Sequence, residues 1–269
     1  MSAAAGGRAA VVCVKWGTAY VPDYVNVLYR ATRAHLKEPH RFVCITDDPR
    51  DLDPGITVLP MPTFRMPRET WRKTNLAKIA ALAPGLLDDD EIVLQVDLDV
   101  MILGGLDAFF DLYRREPAMY TLREWNPVLI RALLPRALWP DRGSQGSVYL
   151  FRAGDQREMF AHFDEHTAAV LKQYRTDRFA YPKLAWNPRY LPYEWCPSFK
   201  NHCLWYWPLS EVMPDPRPPR DARILCFHGQ PRPLDLMQAP GVRWGTKRKF
   251  GTEPVPWVVE YWERYRSEK

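Results

Sequence analysis

The chain has 269 residues, 46% hydrophobic and 26% charged, which excludes an intrinsically disordered protein and fits one large α/β domain. Its net charge of +5 permits an anionic ligand, but the basic residues are spread along the chain rather than striped, which argues against a nucleic-acid binder. The 26 prolines are about twice the ordinary share and cluster in the second half, where long ordered loops are expected.

The five cysteines, Cys13, Cys44, Cys196, Cys203 and Cys226, match no zinc spacing. Cys13, Cys44 and Cys226 sit inside apolar runs and read as buried free thiols, and a reducing compartment fits best. Cys196 and Cys203 flank His202, but no fourth zinc ligand is evident. Residues 1–9 are small and read as a flexible N-terminus with no apolar signal core behind them. No run approaches the roughly 20 apolar residues of a membrane span. The expected location is cytoplasmic, with contact to the inner face of a membrane peripheral at most.

In chain order, AAVVCVKW predicts a buried strand that ends at Gly17. PDYVNVLYRATRAHL has apolar positions at helical spacing, with Pro22 near its start. RFVCITDD and ITVLPMP predict two further strands. RETWRKTNLAKIAALAPGLL predicts a second helix closed by Pro84-Gly85, and DDDEIVLQVDLDVMIL a single long strand. A short helix, LDAFFDLYRR, follows. AMYTLRE and GSVYLFRAG predict two more strands, and DQREMFAHFDEHTAAVLKQY an amphipathic helix. RILCFHGQPRP reads as a strand ending in a polar turn, and PVPWVVEYWERYRSEK as a final helix with an aromatic face. That helix is expected to pack on the domain, with docking on a membrane surface as the alternative. Trp205 and Trp207 are expected to be core anchors.

The β-α-β-β-α-β order implies an α/β fold with a mostly parallel central sheet and helices on both faces. The expected organisation is one domain over residues 10–269: a first half 10–115, an elaborated second half 116–240 and a helical tail 241–269. Ligands of such sheets bind outside the carboxyl ends of the strands. That rule brings together Lys15–Tyr20, Thr46–Asp48 and Asp97–Asp99.

Asp97 and Asp99 interrupt one of the most apolar runs of the chain. In an extended strand residues i and i+2 share a face. Two carboxylates there repel each other unless a cation lies between them, and a hard divalent ion is the natural one. The competing reading ends the strand at Val96 and makes the pair a solvated turn. His228 sits at another strand-to-turn junction, where a neutral imidazole can complete a metal site or be a partly buried surface histidine. Gly229 lets backbone approach a ligand, and Arg232 offers a fork for phosphate. Lys78 leads toward the Asp97 strand and is a candidate for the same crevice. YEWCPSFKNHCLWYWP is rich in aromatics that suit sugar or base stacking.

In this order, KWGTAYVPDYVNVLYRATRAHL, FVCITDD, LAKIAAL, VDLDV, GSQGSVYLFRAG, YEWCPSFKNHC and FHGQPRP resemble the bacterial nucleotide-sugar glycosyltransferases of the GT-A fold. The resemblance is to the glycogenin-like and lipopolysaccharide galactosyltransferase-like retaining enzymes, over residues 10–235. It implies a single GT-A type (nucleotide-diphospho-sugar transferase) domain with residues 10–115 as its nucleotide-binding half and 116–240 as its donor-sugar and acceptor half. It also implies that Asp97, Asp99 and His228 bind Mn²⁺ or Mg²⁺ on the donor diphosphate. Lys15, Trp16, Gly17, Thr18 and Tyr20 match the loop around the nucleoside, with Asp47 or Asp48 near the base. Lys78 matches a basic residue near the phosphates or donor sugar, and Gly229 and Arg232 match a turn with its following basic residue.

The implied donor is a UDP-sugar. The implied acceptor is a glycan, a lipid-linked compound or a small molecule, and the implied outcome is retention. Two departures stand out. Gln145-Gly146-Ser147 replaces an Asn-Ser-Gly loop near the transferred sugar. Asp177 is the counterpart of a Gly-Asp-Gln turn. Lys78, Asp177 and Gln145 are the candidates beside the reacting sugar. Two alternatives stand beside transfer. A nucleotidyltransferase would carry a glycine-rich phosphate loop, whereas KWGTAY has one glycine. A non-catalytic nucleotide-sugar-binding protein would have less reason to retain Asp97, Asp99 and His228.

Overall fold

The computed structural model describes residues 7–205, 216–247 and 250–266. Trp207 and residues 1–6 of the expected flexible N-terminus lie outside the described residues.

Strand β1 (Ala9–Lys15) is buried along its whole length. Its side chains alternate between two cores: Ala9, Val11 and Cys13 enter one, Ala10, Val12 and Val14 the other. A strand covered on both faces needs a continuous apolar run, and AVVCV supplies it. Helix α1 (Pro22–His35) starts with proline in its first turn, where the missing N–H costs nothing. Strands β2 (His40–Thr46) and β3 (Thr57–Pro60) follow.

The second helix is not continuous, contrary to the periodicity. Helix α2 (Arg68–Thr74) stops at Asn75, which takes the left-handed conformation with φ 55°, a conformation asparagine tolerates. A 3₁₀ segment, Leu76–Leu82, continues with every residue buried. The expected long strand is also broken. β4 (Ile92–Val96) and β5 (Val100–Ile102) are separate, because β5 leaves the main sheet to pair with a strand much later in the chain.

Next come α3 (Asp107–Arg115), β6 (Met119–Arg123), α4 (Val128–Leu133) and β7 (Ser144–Arg152). The helix expected over residues 155–174 divides at His166 into α5 (Arg157–Glu165) and α6 (Thr167–Gln173). Helix α7 (Asp177–Leu184), β8 (Pro188–Tyr190), a π-helical turn (Phe199–Cys203), β9 (Ile224–Cys226) and α8 (Pro256–Arg266) complete the described chain.

The main sheet has the order β3-β2-β1-β4-β7-β6-β8. β3, β2, β1 and β4 are parallel, and among the described strands of this sheet β7 alone is reversed. The mostly parallel sheet is therefore present. β5 and β9 form a small antiparallel sheet of their own.

Helix α8 packs on the domain. Val258, Tyr261, Trp262 and Tyr265 are buried, the Tyr261 hydroxyl accepts the Ile102 N–H at 3.0 Å, and Trp262 meets Tyr24 edge-on at 5.0 Å. The tail thereby props the strand that follows Asp99. Trp205 is 45% exposed and is no core anchor. All five cysteines are buried and free. No helix among the described residues is long and apolar enough to cross a membrane.

Candidate functional site

β1 and β4 are neighbours in the sheet, yet β2 and β3 extend from one side of β1 and β4 returns on the other. Such a reversal leaves a crevice outside the strands' carboxyl ends. A cavity of about 670 Å³ opens there. Trp16 and Tyr20 reach it from the end of β1, and Asp97 and Asp99 from the end of β4. Lys78, Gln145, Asp177, His228, Gly229 and Arg232 also line it, from parts of the chain far apart.

Five expected residues do not line it. Lys15 is buried at the end of β1, between Val14 and Trp16, which do face the cavity. Gly17 and Thr18 lie in the exposed turn beyond. Asp47 accepts the Gly17 N–H at 3.1 Å and pairs with Arg68 at 3.0 Å, tying the turn after β1 to the one after β2. Asp48 turns to Arg50 at 2.7 Å, and that guanidinium holds its carboxyl well below the usual range. Residues not singled out by the sequence line the cavity too, notably Asn75, Arg175, Thr176 and Arg178, and so does Ser147 of the expected sugar loop. The basic string Arg175-Thr176-Asp177-Arg178 was the available signal for three of them.

One side of the cavity is a closed ionic network. The Lys78 ammonium donates to Gly146 O at 2.9 Å and to Asp177 Oδ2 at 3.0 Å, and pairs with Asp97 Oδ1 at 2.5 Å. The Tyr149 hydroxyl donates to the same Asp177 oxygen at 2.9 Å. The fit is tight at Gly146, where a Cβ would stand 2.3 Å from Asp177 Oδ2 and 2.7 Å from the Tyr149 oxygen. Burial alone would lower the Lys78 pKa, but the charges of Asp177 and Asp97 outweigh it and hold the group protonated. An ammonium has three donors, and all three have partners here. Lys78 is thus a positioning residue for Asp97 and Asp177.

The other side is less complete. Asp99 is buried and accepts one hydrogen bond from the Tyr20 hydroxyl at 3.0 Å. Arg232 lies over the Tyr20 ring at 4.4 Å and donates to Ala19 O at 3.0 Å. Burial, then the neighbouring charge of Asp97, pushes the Asp99 pKa up to about 7. The Asp97 pKa is raised as well, by burial first and by Asp177, against the pull of Lys78. Burial and the Asp97 charge both oppose ionisation of Asp99.

His228 stacks flat on Trp125, with ring centroids 5.0 Å apart. Its Nε2 is in hydrogen-bond contact with Ser198 Oγ at 2.8 Å. Lys200 donates to its backbone carbonyl. Among the described residues no three His, Cys, Asp or Glu side chains form a group able to hold a metal ion. Asp97, Asp99 and His228 share a cavity without making a three-ligand set. The carboxylates themselves suit a hard cation, since Mg²⁺-type ions are commonly held by one or two carboxylates plus substrate phosphate oxygens. Asp99, buried with the Tyr20 hydroxyl as its hydrogen-bond donor and opposed by the Asp97 charge, supports that fit.

No protein-family model and no curated protein sequence matches the chain. Solved structures do. The glycosyltransferase GlyE of Streptococcus pneumoniae TIGR4, in its apo form, aligns with a TM-score of 0.55 at 12% identity, over 97% of this chain and 62% of that one. The bifunctional glycosyltransferase WbbM aligns with a TM-score of 0.55 at 13% identity, over 96% and 52%. An active-site mutant of LgtC aligns with a TM-score of 0.56 at 14% identity, over 95% of both chains. LgtC is a galactosyltransferase that has been solved with donor and acceptor sugar analogues. The fold is therefore that of the GT-A glycosyltransferases. The chain spans about 62% of GlyE and 52% of WbbM, so it corresponds to part of those proteins.

Proposed function

We propose that the protein is a metal-dependent glycosyltransferase. It moves a sugar from a nucleotide-diphosphate sugar, of the UDP type, to a glycan, lipid-linked or small-molecule acceptor with retention. One observation carries this reading: the Asp97–Asp99 carboxylates lie in a cavity of about 670 Å³ at the sheet's point of reversal, beside Arg232 and Arg175. Negative and positive groups around one cleft suit a diphosphate and its counter-ion.

In this reading the nucleoside lies along Trp16 and Tyr20. Asp99 leads in holding Mn²⁺ or Mg²⁺, with Asp97 beside it. His228 is the third ligand by resemblance, a role that requires its Nε2 to exchange Ser198 Oγ for the ion. A bound ion would stabilise the charge that develops on the leaving diphosphate. Arg232 adds to that stabilisation, which counts toward rate because it is greater in the transition state than in the ground state. Lys78 keeps Asp97 ionised and oriented. Gln145 and Asp177 flank the space for the transferred sugar, and Gln145 is itself held by accepting the Gly146 N–H at 2.6 Å.

The test is donor hydrolysis or transfer over a panel of nucleotide-sugars with Mn²⁺, comparing the parent with Asp99→Ala. Loss of the ion's several kcal/mol predicts roughly a 10³-fold drop. Parent-like activity in the variant would remove the metal role. Binding of a nucleotide-sugar in a melting assay, without turnover on a broad acceptor set, would reduce the protein to a binder.

A further inference from the structure

Between β6 and β7 the chain reads NPVLIRALLPRALWPDRG, residues 126–143. Every residue from Ala132 to Leu138 is exposed. Leu129, Leu133, Leu134 and Leu138 are 50%, 75%, 37% and 65% exposed. Scattered surface leucines are ordinary, but four within ten residues are a patch of the kind that marks an interaction site.

The other side of α4 faces a second cavity, of about 270 Å³. Val128 and Arg131, a helical turn apart, line it together with His202, Trp205 and Arg217. Leu129 and Leu133 are likewise a turn apart and point the opposite way. Arg131 is held in place by donating to Asn126 O at 3.2 Å and to Asn201 O. His202 Nδ1 is in hydrogen-bond contact with the Ser198 backbone, 3.0 Å from its N–H nitrogen and 3.1 Å from its carbonyl oxygen. The second ring nitrogen, Nε2, is buried and has no hydrogen-bond partner among the described residues. A buried polar atom left unanswered calls for a ligand atom. Beside two guanidinium groups, an anionic oxygen is the complementary choice.

We propose that α4 and the turn running to Trp139 form a docking element for an anionic phospholipid bilayer. The leucines enter the acyl boundary, and the Arg131–His202–Arg217 cavity seats a lipid phosphate. The chemistry favours a bilayer over a protein partner. The segment is aliphatic at its tip and carries Arg131, Arg136 and Arg142 against Asp141, with Arg136 also paired to Glu194. Trp139 meets Tyr193 at 5.3 Å at its base, the aromatic placement common at membrane–water boundaries.

The roots of the element reach the larger cavity. Glu124 pairs with Arg178, Trp125 stacks on His228, and Gln145 lines the cavity wall. Docking would thus hold the mouth of the larger cavity near the lipid surface.

The experiment is co-sedimentation of the full chain with vesicles of phosphatidylcholine alone or mixed with phosphatidylglycerol. Binding to the mixed vesicles is expected to be about tenfold tighter, from the arginines near the anionic surface. The double variant Leu133→Asp/Leu138→Asp should lose binding with an unchanged melting temperature, since both side chains are exposed. Arg217→Ala should lose several-fold of the preference for anionic vesicles and keep its weak partition onto neutral ones. Trp186→Asp, at an exposed indole outside the element, should bind like the parent.

The proposal is overturned if neither vesicle binds the parent, if the double variant binds as well as the parent, or if Trp186→Asp is as impaired. A dimer broken by the double variant, with no vesicle binding, assigns the patch to a second copy instead. Stabilisation by inorganic phosphate without vesicle binding assigns the cavity to a free phosphate ester. None of these arms reads sugar transfer, so their failure leaves the proposed function untouched.

Discussion

The buried polar groups around the two cavities differ in how far the chain completes them. In the larger one the Lys78 ammonium finds three acceptors, and Asp177 in turn gathers Lys78 and Tyr149. In the smaller one His202 Nε2 finds none among the described residues. A polar network completed within the chain serves as scaffold, and an incomplete group that faces a cavity is a place for a ligand atom. Asp99 belongs with the incomplete groups, buried behind a single tyrosine hydroxyl.

The largest test breaks the completed side. Lys78→Met leaves Asp97 and Asp177 as buried carboxylates with no cation, which costs about 3–5 kcal/mol. Urea unfolding should show it as a lower midpoint at an unchanged slope. A change below about 1 kcal/mol would mean that the network is not scaffold. Adding Asp97→Asn and Asp177→Asn should recover part of the loss, because the penalty lies in the unpaired charge.

Acid should separate the two cavities next. Burial, aided by Arg131, pushes the His202 pKa down to about 4, against an ordinary value of 6.5. Between those values the unfolded chain binds the additional proton. Stability is therefore whole above pH 6.5 and falls as pH drops through the window, by roughly 3 kcal/mol at its foot. His202→Gln should flatten that limb of a melting-temperature profile. Lys78 behaves conversely. Its pKa is raised, so its contribution is present below the ordinary lysine value and is lost only in alkali. If His202→Gln leaves the acid limb as steep as in the parent, the ring is not the group being titrated.

The same contrast explains what the sequence made legible. The four parallel strands are apolar runs bounded by turn residues, and β1 shows its two-sided burial in AVVCV. Local pattern suffices there. The break between Val96 and Val100 was hidden, because Val100-Met101-Ile102 continues the apolar run. What separates them is the pairing of β5 with Ile224–Cys226, more than a hundred residues away. The helix over residues 68–82 looked continuous because its spacing is helical, while a single left-handed Asn75 divides it. Thr74-Asn75 was a weak signal of that stop.

At the site, Asp97, Asp99, His228 and Arg232 could be picked out as polar groups at strand ends. That Asp177 neutralises Lys78 follows from tertiary packing alone. The segment from Val128 to Trp139 falls between two predicted strands and takes no element from the sequence. Its leucines carry meaning only once their exposure is known.

Gly146→Ala probes how closely the completed side is fitted. The added methyl would meet Asp177 Oδ2 at 2.3 Å and the Tyr149 oxygen at 2.7 Å. Overpacking of this kind costs about 1–3 kcal/mol. The displaced Asp177 should also weaken donor binding. A thermal melt and a nucleotide-sugar titration on the same sample separate the two effects. Parent-like values in both would show that Asp177 has room to move and that the network is looser than its distances suggest.

The smallest effect has the opposite sign. Asp99→Asn keeps the shape of the side chain and removes a charge that burial and Asp97 both oppose. In chelator, the variant should be more stable than the parent by about 1 kcal/mol, as expected where a functional group is held at the expense of the fold. Mn²⁺ should then raise the melting temperature of the parent, since an ion that binds the native state stabilises it, and should leave Asp99→Asn unmoved. A variant less stable than the parent in chelator would mean that the Tyr20 hydrogen bond outweighs the repulsion. Asp99 would then join Lys78 as scaffold, and the distinction between completed and incomplete groups would fail at the residue on which the proposed chemistry most depends.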